Sequence, residues 1–172
     1  METVYFKGQP CHTCGTAPTV GVIAPCFHLT APDLSQILCS DYPGHLIVLN
    51  IFPSLDTDVC ARSVRRFNQE AAQLSGVTVI CVSKDLPFAQ GRFCSLEGID
   101  NVVFGSAFRS PLFGQNYGVE LIDGPLAGLL ARCVIVLDEN RRVIVRDLVD
   151  EITSEPDYDA ILTAIRFNLK SH

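Results

Sequence analysis

The chain lacks any run of basic residues and any interleaving of basic with aromatic side chains. Its 13 Lys and Arg are outnumbered by 19 Asp and Glu, for a formal charge of −6. That balance excludes a general nucleic-acid binder, which needs cations to meet phosphates. No apolar stretch reaches spanning length, and METVYFKGQP has no signal-peptide layout. These absences predict a cytoplasmic chain with no membrane partner. Internal repeats, low-complexity tracts and linkers are missing too. The expectation is therefore a single domain over residues 1–172, with 1–25 as an N-terminal hairpin and loop. Apolar residues make up 48% and mean hydropathy is +0.27, so disorder is excluded.

What the chain does have is cysteine, eight in all. Without a secretory signal they read as reduced thiols with redox or metal roles, not as a disulfide framework. The informative one lies in LIVLNIFPSLDTDVCARSVRRF, residues 46 to 67. Leu46 to Phe52 is an apolar, β-branched run, the pattern of a strand buried on both faces. Pro53 stops it, because proline cannot donate into a ladder. Asp56, Thr57 and Asp58 supply N-cap chemistry and negative charge for a helix start. Cys60, Val64, Phe67, Ala71 and Leu74 then recur on one helical face. Cys60 thus falls in the first turn of a helix leaving the C-terminal end of a central strand, where open α/β sheets place their sites. Unpaired backbone N–H groups there favour a thiolate. By its place on the apolar stripe alone, Cys60 is equally readable as a core thiol.

The rest of the chain reads as α/β. Thr3–Phe6 and Cys11–Cys14 are expected to pair across a turn at Lys7 to Pro10, and Phe27 to Thr30 to be a short strand. Pro32-Asp33-Leu34 suggests a helical turn. Val77 to Ser83 is a second buried strand. Asp85-Leu86-Pro87 reads as a cap opening a short helix to Leu96, interrupted by Gly91. Val102–Phe104 is a strand and Pro111–Tyr117 a helix. Cys133–Leu137 and Val143–Val145 flank a tight turn, and an amphipathic helix runs from Tyr158 to Leu169.

The spacing Pro53-x-x-x-Thr57-x-x-Cys60 resembles the peroxidatic motif of the peroxiredoxins. NIFPSLDTDVCARSVRRFNQEA is similar to their thiol peroxidase branch, of the atypical two-cysteine type. DLPFAQGRFC, GPLAGLLARCVIVLDEN and LVDEITSEPDYDA resemble the same branch in the same order. Asp58 departs from it, standing where a small residue or proline is usual. The resemblance implies a thioredoxin-like fold: a central mixed sheet flanked by helices, with an N-terminal β-hairpin. It also implies a homodimer without a cofactor. The implied activity is reduction of hydrogen peroxide and organic hydroperoxides through a Cys60 sulfenic acid. Cys94 would resolve it as an intramolecular disulfide, and thioredoxin would recycle that bond. Arg132 matches the catalytic arginine, and Pro53 would shield the thiolate.

Thiolate supply alone cannot carry such chemistry. A free thiol is already a few per cent ionised at neutral pH, so a lowered pKa gains about thirtyfold, or about 2 kcal/mol. Enzymic accelerations need about 8 kcal/mol or more. The remainder must come from groups holding the peroxide oxygens, for which Thr57 and Arg132 are the candidates.

Two other readings use the same residues differently. Cys60-x5-Arg66 has the spacing of a cysteine phosphatase, although residues 61 to 65 carry no glycine and follow a helical period. Cys11-His12-Thr13-Cys14 suggests a redox or metal-binding interaction protein, but zinc needs four ligands and no second pair follows. In a hairpin strand, Cys11 and Cys14 would also face opposite sides. Cys26, Cys39, Cys81 and Cys133 match no functional motif and read as packing.

Overall fold

The computed structural model describes residues 1–170. The seven-stranded mixed sheet comprises β3 (His28–Thr30), β4 (Gln36–Leu38), β5 (Leu46–Ile51), β6 (Val77–Ser83), β7 (Val103–Ser106), β8 (Cys133–Leu137) and β9 (Val143–Leu148), ordered β4-β3-β7-β6-β5-β8-β9. β5, β6 and β7 run parallel, while β8 pairs antiparallel with β5. β1 (Thr3–Phe6) and β2 (Gln9–His12) form a separate antiparallel hairpin. Among the described residues four helices complete the fold: α1 (Asp58–Ala71), α2 (Pro87–Glu97), α3 (Pro111–Asn116) and α4 (Tyr158–Lys170).

Alternation along the central strands divides the core into two layers. Ile47, Leu49 and Ile51 of β5, with Ile135 and Leu137 of β8, pack with Phe27, Phe113 and Tyr117. Leu46 and Val48, with Val134 and Val136, face the other way onto Cys60, Val64 and Phe67 of α1 and Ile161 and Ile165 of α4. Every residue of β5 and β8 is buried. That explains why both strands read as apolar runs, interrupted only by the buried Asn50 of β5.

Several local expectations are corrected. The hairpin turn is Lys7-Gly8 alone, at φ 51° and 81°. Two positive φ values match the right-handed twist of paired strands, so β2 starts at Gln9 and ends before Cys14. Pro32 to Leu34 belongs to the connection of a second hairpin, with Leu34 at φ 72°, and not to a helix. Its return strand β4 is only three residues, too short to show alternation. Cys26 and Cys39, read as packing thiols, are joined by a disulfide with Cα atoms 5.5 Å apart. Cys81 and Cys133 do pack as buried thiols, and desolvation pushes each pKa up to about 12.

Candidate active site

After β5 the chain turns through Pro53 to Thr57 and enters α1. Asp85 fixes this turn: its carboxylate accepts from Ser54 Oγ at 2.8 Å, Leu55 N at 2.8 Å and Ser83 Oγ at 2.6 Å. Asp85 therefore does not cap α2, as its place before Leu86-Pro87 suggests. Leu86 is the N-cap residue and makes no side-chain capping bond. Thr57 holds the N-cap position of α1, but it too makes no such bond. Its hydroxyl donates instead to the Ser54 carbonyl at 3.0 Å. The single Thr57 proton being so engaged, the hydroxyl oxygen is left to act as an acceptor.

Cys60 is fully buried in the first turn of α1. The first intrahelical bond there is Ala61 N to Thr57 O, so the backbone N–H groups of residues 58 to 60 precede the ladder. Arg132, which the family resemblance makes the catalytic arginine, is only 2% exposed. Its Nη2 donates to Cys60 Sγ at 3.2 Å and its Nε to the Ile152 carbonyl at 2.8 Å. Its Nη1 is buried with no partner among the described residues. Pro53, Thr57, Val59, Leu126, Leu129 and Arg132 line a cleft of about 400 Å³. Phe6 and Lys7 of the first hairpin also line it. That hairpin is tied down by Glu151, whose carboxylate accepts from Gly8 N at 2.8 Å and Lys7 N at 3.3 Å.

Cys60, Thr57, Pro53 and Arg132 are thus brought together, and Cys94 is not. Both Cys60 and Cys94 are free thiols. Cys94 sits half-buried on α2 and donates to the Ile99 carbonyl at 3.2 Å. It lines a different cleft, of about 460 Å³, with Pro32, Gln36, Tyr42 and Phe104. Burial, and after it the charge of Asp100, pushes the Cys94 thiol up.

The phosphatase geometry is absent. Residues 61 to 65 lie within α1 and cannot wrap a phosphate, while Arg66 pairs with Glu70 at 3.2 Å and covers the Tyr158 ring. Cys11 is buried beside Val4, Leu121 and Ile152, whereas Cys14 is exposed. No cluster able to hold a metal ion occurs among the described residues.

The Redoxin family profile matches residues 18–162. The thiol peroxidase of Corynebacterium glutamicum is 54% identical over 165 residues, covering 96% of this chain and 99% of its own length. This chain belongs to the thiol peroxidase branch of the redoxins. The thiol peroxidase of Mycobacterium tuberculosis is 51% identical over the same share. A crystal structure of a peroxiredoxin-like protein from Aquifex aeolicus superimposes with a TM-score of 0.92 at 38% identity, covering 97% of each chain.

Asp85, Ser54 and Ile152 were not singled out as site residues on sequence. Asp85 carries an apparent helix-start signal that hides its long-range role, and a backbone carbonyl such as that of Ile152 has no sequence signal at all.

Proposed function

We propose that the protein is a thiol-dependent hydroperoxide reductase in which Cys60 is the nucleophile. The observation that carries this is the Arg132 guanidinium, buried at 3.2 Å from Cys60 Sγ with its Nη1 unpartnered among the described residues. A buried donor without a partner costs about 1–3 kcal/mol. A peroxide oxygen in the adjoining cleft would satisfy it.

The Cys60 thiolate attacks one peroxide oxygen, the S–O bond forms and the O–O bond breaks. The departing oxygen leaves as alkoxide or hydroxide and takes up a proton, giving an alcohol or water and a Cys60 sulfenic acid. Arg132 stabilises charge on the oxygens in flight, at about 3 kcal/mol for one well-placed donor. Thr57 Oγ1, its own proton on Ser54 O, accepts from the peroxide O–H. Pro53 closes the cleft against water. The Cys94 thiolate then attacks the sulfenic sulfur, forming a disulfide and releasing hydroxide, which is protonated to water. A dithiol of the thioredoxin class reduces that bond. Cytoplasmic residence and a homodimer accompany this reading through the family.

Stoichiometric oxidation tests it. One equivalent of hydroperoxide should remove two thiols, Cys60 and Cys94, with the new bond mapped by mass spectrometry. Cys60→Ser should abolish peroxide consumption with thioredoxin as reductant, whereas Cys94→Ser should react once and fail to turn over. Substantial turnover by Cys60→Ser would overthrow the assignment.

A further inference from the structure

The Cys26–Cys39 disulfide lies outside the chemistry described above and closes the base of the β3–β4 hairpin. Cys26 precedes β3 and Cys39 follows β4, and Cys39 N donates to Phe27 O at 3.1 Å. Its two sulfurs are not equivalent. Cys26 is exposed, while Cys39 is buried at 6% exposure. The Arg141 guanidinium donates from Nη1 to Cys39 Sγ at 3.7 Å, and Arg141 Nε is buried without a partner among the described residues. A cleft of about 330 Å³ adjoins this pair, lined by Cys39, Tyr42, His45, Asp138 and Arg141.

Thiol–disulfide exchange depends on which sulfur the incoming thiolate reaches and on how readily the other departs. Accessibility selects Cys26 for attack. A neighbouring cation favours the thiolate form of a cysteine, which selects Cys39 as the leaving group. We propose that Cys26–Cys39 is a second thiol–disulfide centre, opened by a dithiol that attacks Cys26 and expels Cys39 as a thiolate beside Arg141. The first dithiol sulfur bonds to Cys26 Sγ as the Cys26–Cys39 bond breaks. The second dithiol sulfur then displaces Cys26, leaving an oxidised dithiol and two reduced cysteines. Two electrons pass from the dithiol to the protein, and the protons of the two dithiol thiols end on Cys26 and Cys39.

Reduction has a structural consequence for the hairpin. β3 is joined to the rest of the sheet through one paired position, Thr30 with Ser106. Pro32, Gln36 and Ile37 of the same hairpin face Cys94 across its cleft. Opening the disulfide releases the base of that wall.

The test uses the full chain carrying Cys60→Ser and Cys94→Ser, so its outcome is independent of peroxidase activity. The folded protein is treated with dithiothreitol, quenched by alkylation and mapped by mass spectrometry. Cys26 and Cys39 should become alkylated without denaturant, and amide exchange over residues 28–38 should rise at least tenfold. Brief exposure to glutathione should trap the mixed disulfide on Cys26 over Cys39 by tenfold or more. Arg141→Met should slow reduction about tenfold, and Arg141→Lys should restore most of the rate, separating charge from packing. Reduction only under denaturing conditions, trapping on Cys39, unchanged exchange over 28–38, or an Arg141→Met rate equal to the parent would each overturn the proposal.

Discussion

Arg132 is a cation removed from water, which in proteins costs several kcal/mol unless the group is fully paired. Here Nη1 has no partner among the described residues, so the residue is a weak contributor to stability and, in the proposed reaction, a donor for an oxygen. Arg132→Met should separate the two effects. Losing the bond to the Ile152 carbonyl costs about 1–3 kcal/mol, and relief of the buried charge offsets much of it. Urea midpoints should therefore show a stability change within about 2 kcal/mol. Oxidation of Cys60 by hydroperoxide, followed in stopped flow, should slow by about a hundredfold. A variant that loses stability and rate in proportion would make Arg132 structural. In the proposed cycle the pH dependence of resolution belongs to Cys94. Burial first and Asp100 second push its pKa up, so less thiolate is available at neutral pH than for a free cysteine. Formation of the Cys60–Cys94 bond should accelerate as pH rises beyond the ordinary thiol range. Asp100→Asn should move that profile to lower pH, read from the rate of disulfide formation after a peroxide pulse.

At the level of elements the contrast is between α1 and α2. α1 has 14 residues and buries Cys60, Ala61, Ser63, Val64 and Phe67 along one face. α2 has 11 and buries only Pro87 and Gln90, leaving Phe88 and Leu96 largely exposed. Resolution in the proposed cycle requires Cα atoms within about 7 Å; Cys60 is fully buried on α1 while Cys94 lines a separate cleft, so the more weakly packed helix is the one expected to move. Gly91 tunes that movement. An added Cβ there would meet Pro32 Cβ at 3.4 Å, ordinary contact, and its φ is not positive. Gly91→Ala should stabilise α2 by about 1 kcal/mol and slow Cys60–Cys94 formation about fivefold without altering the first reaction with peroxide. Equal rates in both proteins would argue against opening of α2. The strands that form the sheet's centre were readable because burial on both faces leaves an apolar run. β6 spans Val77–Ser83 and β8 Cys133–Leu137, as their sequences suggest. Asp85 was misread because its bonds reach back 30 and 31 residues, to Leu55 and Ser54. Cys26–Cys39 was missed because a separation of 13 residues has no signature until β4 brings the two together.

Across the whole molecule, the buried thiols of β6 and β8 set a limit on alkaline stability. Cys81 and Cys133 are fully buried, and desolvation raises each pKa to about 12. A raised folded pKa means that the native state holds the proton more tightly than the unfolded chain. The contribution is therefore complete below the unfolded thiol range and is lost as pH climbs towards 12. Each group can contribute a slope of about 1.4 kcal/mol per pH unit at most. Urea midpoints should fall between about pH 8.5 and 10.5, and Cys133→Ala should flatten that decline while lowering stability overall through its cavity. An equal slope in both proteins would remove Cys133 from this account.

The active site also has an order of synthesis. Cys60 lies 72 residues before the arginine that contacts it, and the Ile152 carbonyl that orients Arg132 comes a further 20 residues on. At about 5–20 residues per second, those parts reach the growing chain about 4–18 s after Cys60. β5, which carries the turn into α1, waits for β8 over much of the same interval. During translation Cys60 is therefore without its guanidinium, and a chain released early, before residue 132, would carry Cys60 but neither the arginine nor the carbonyl that the proposed reaction needs.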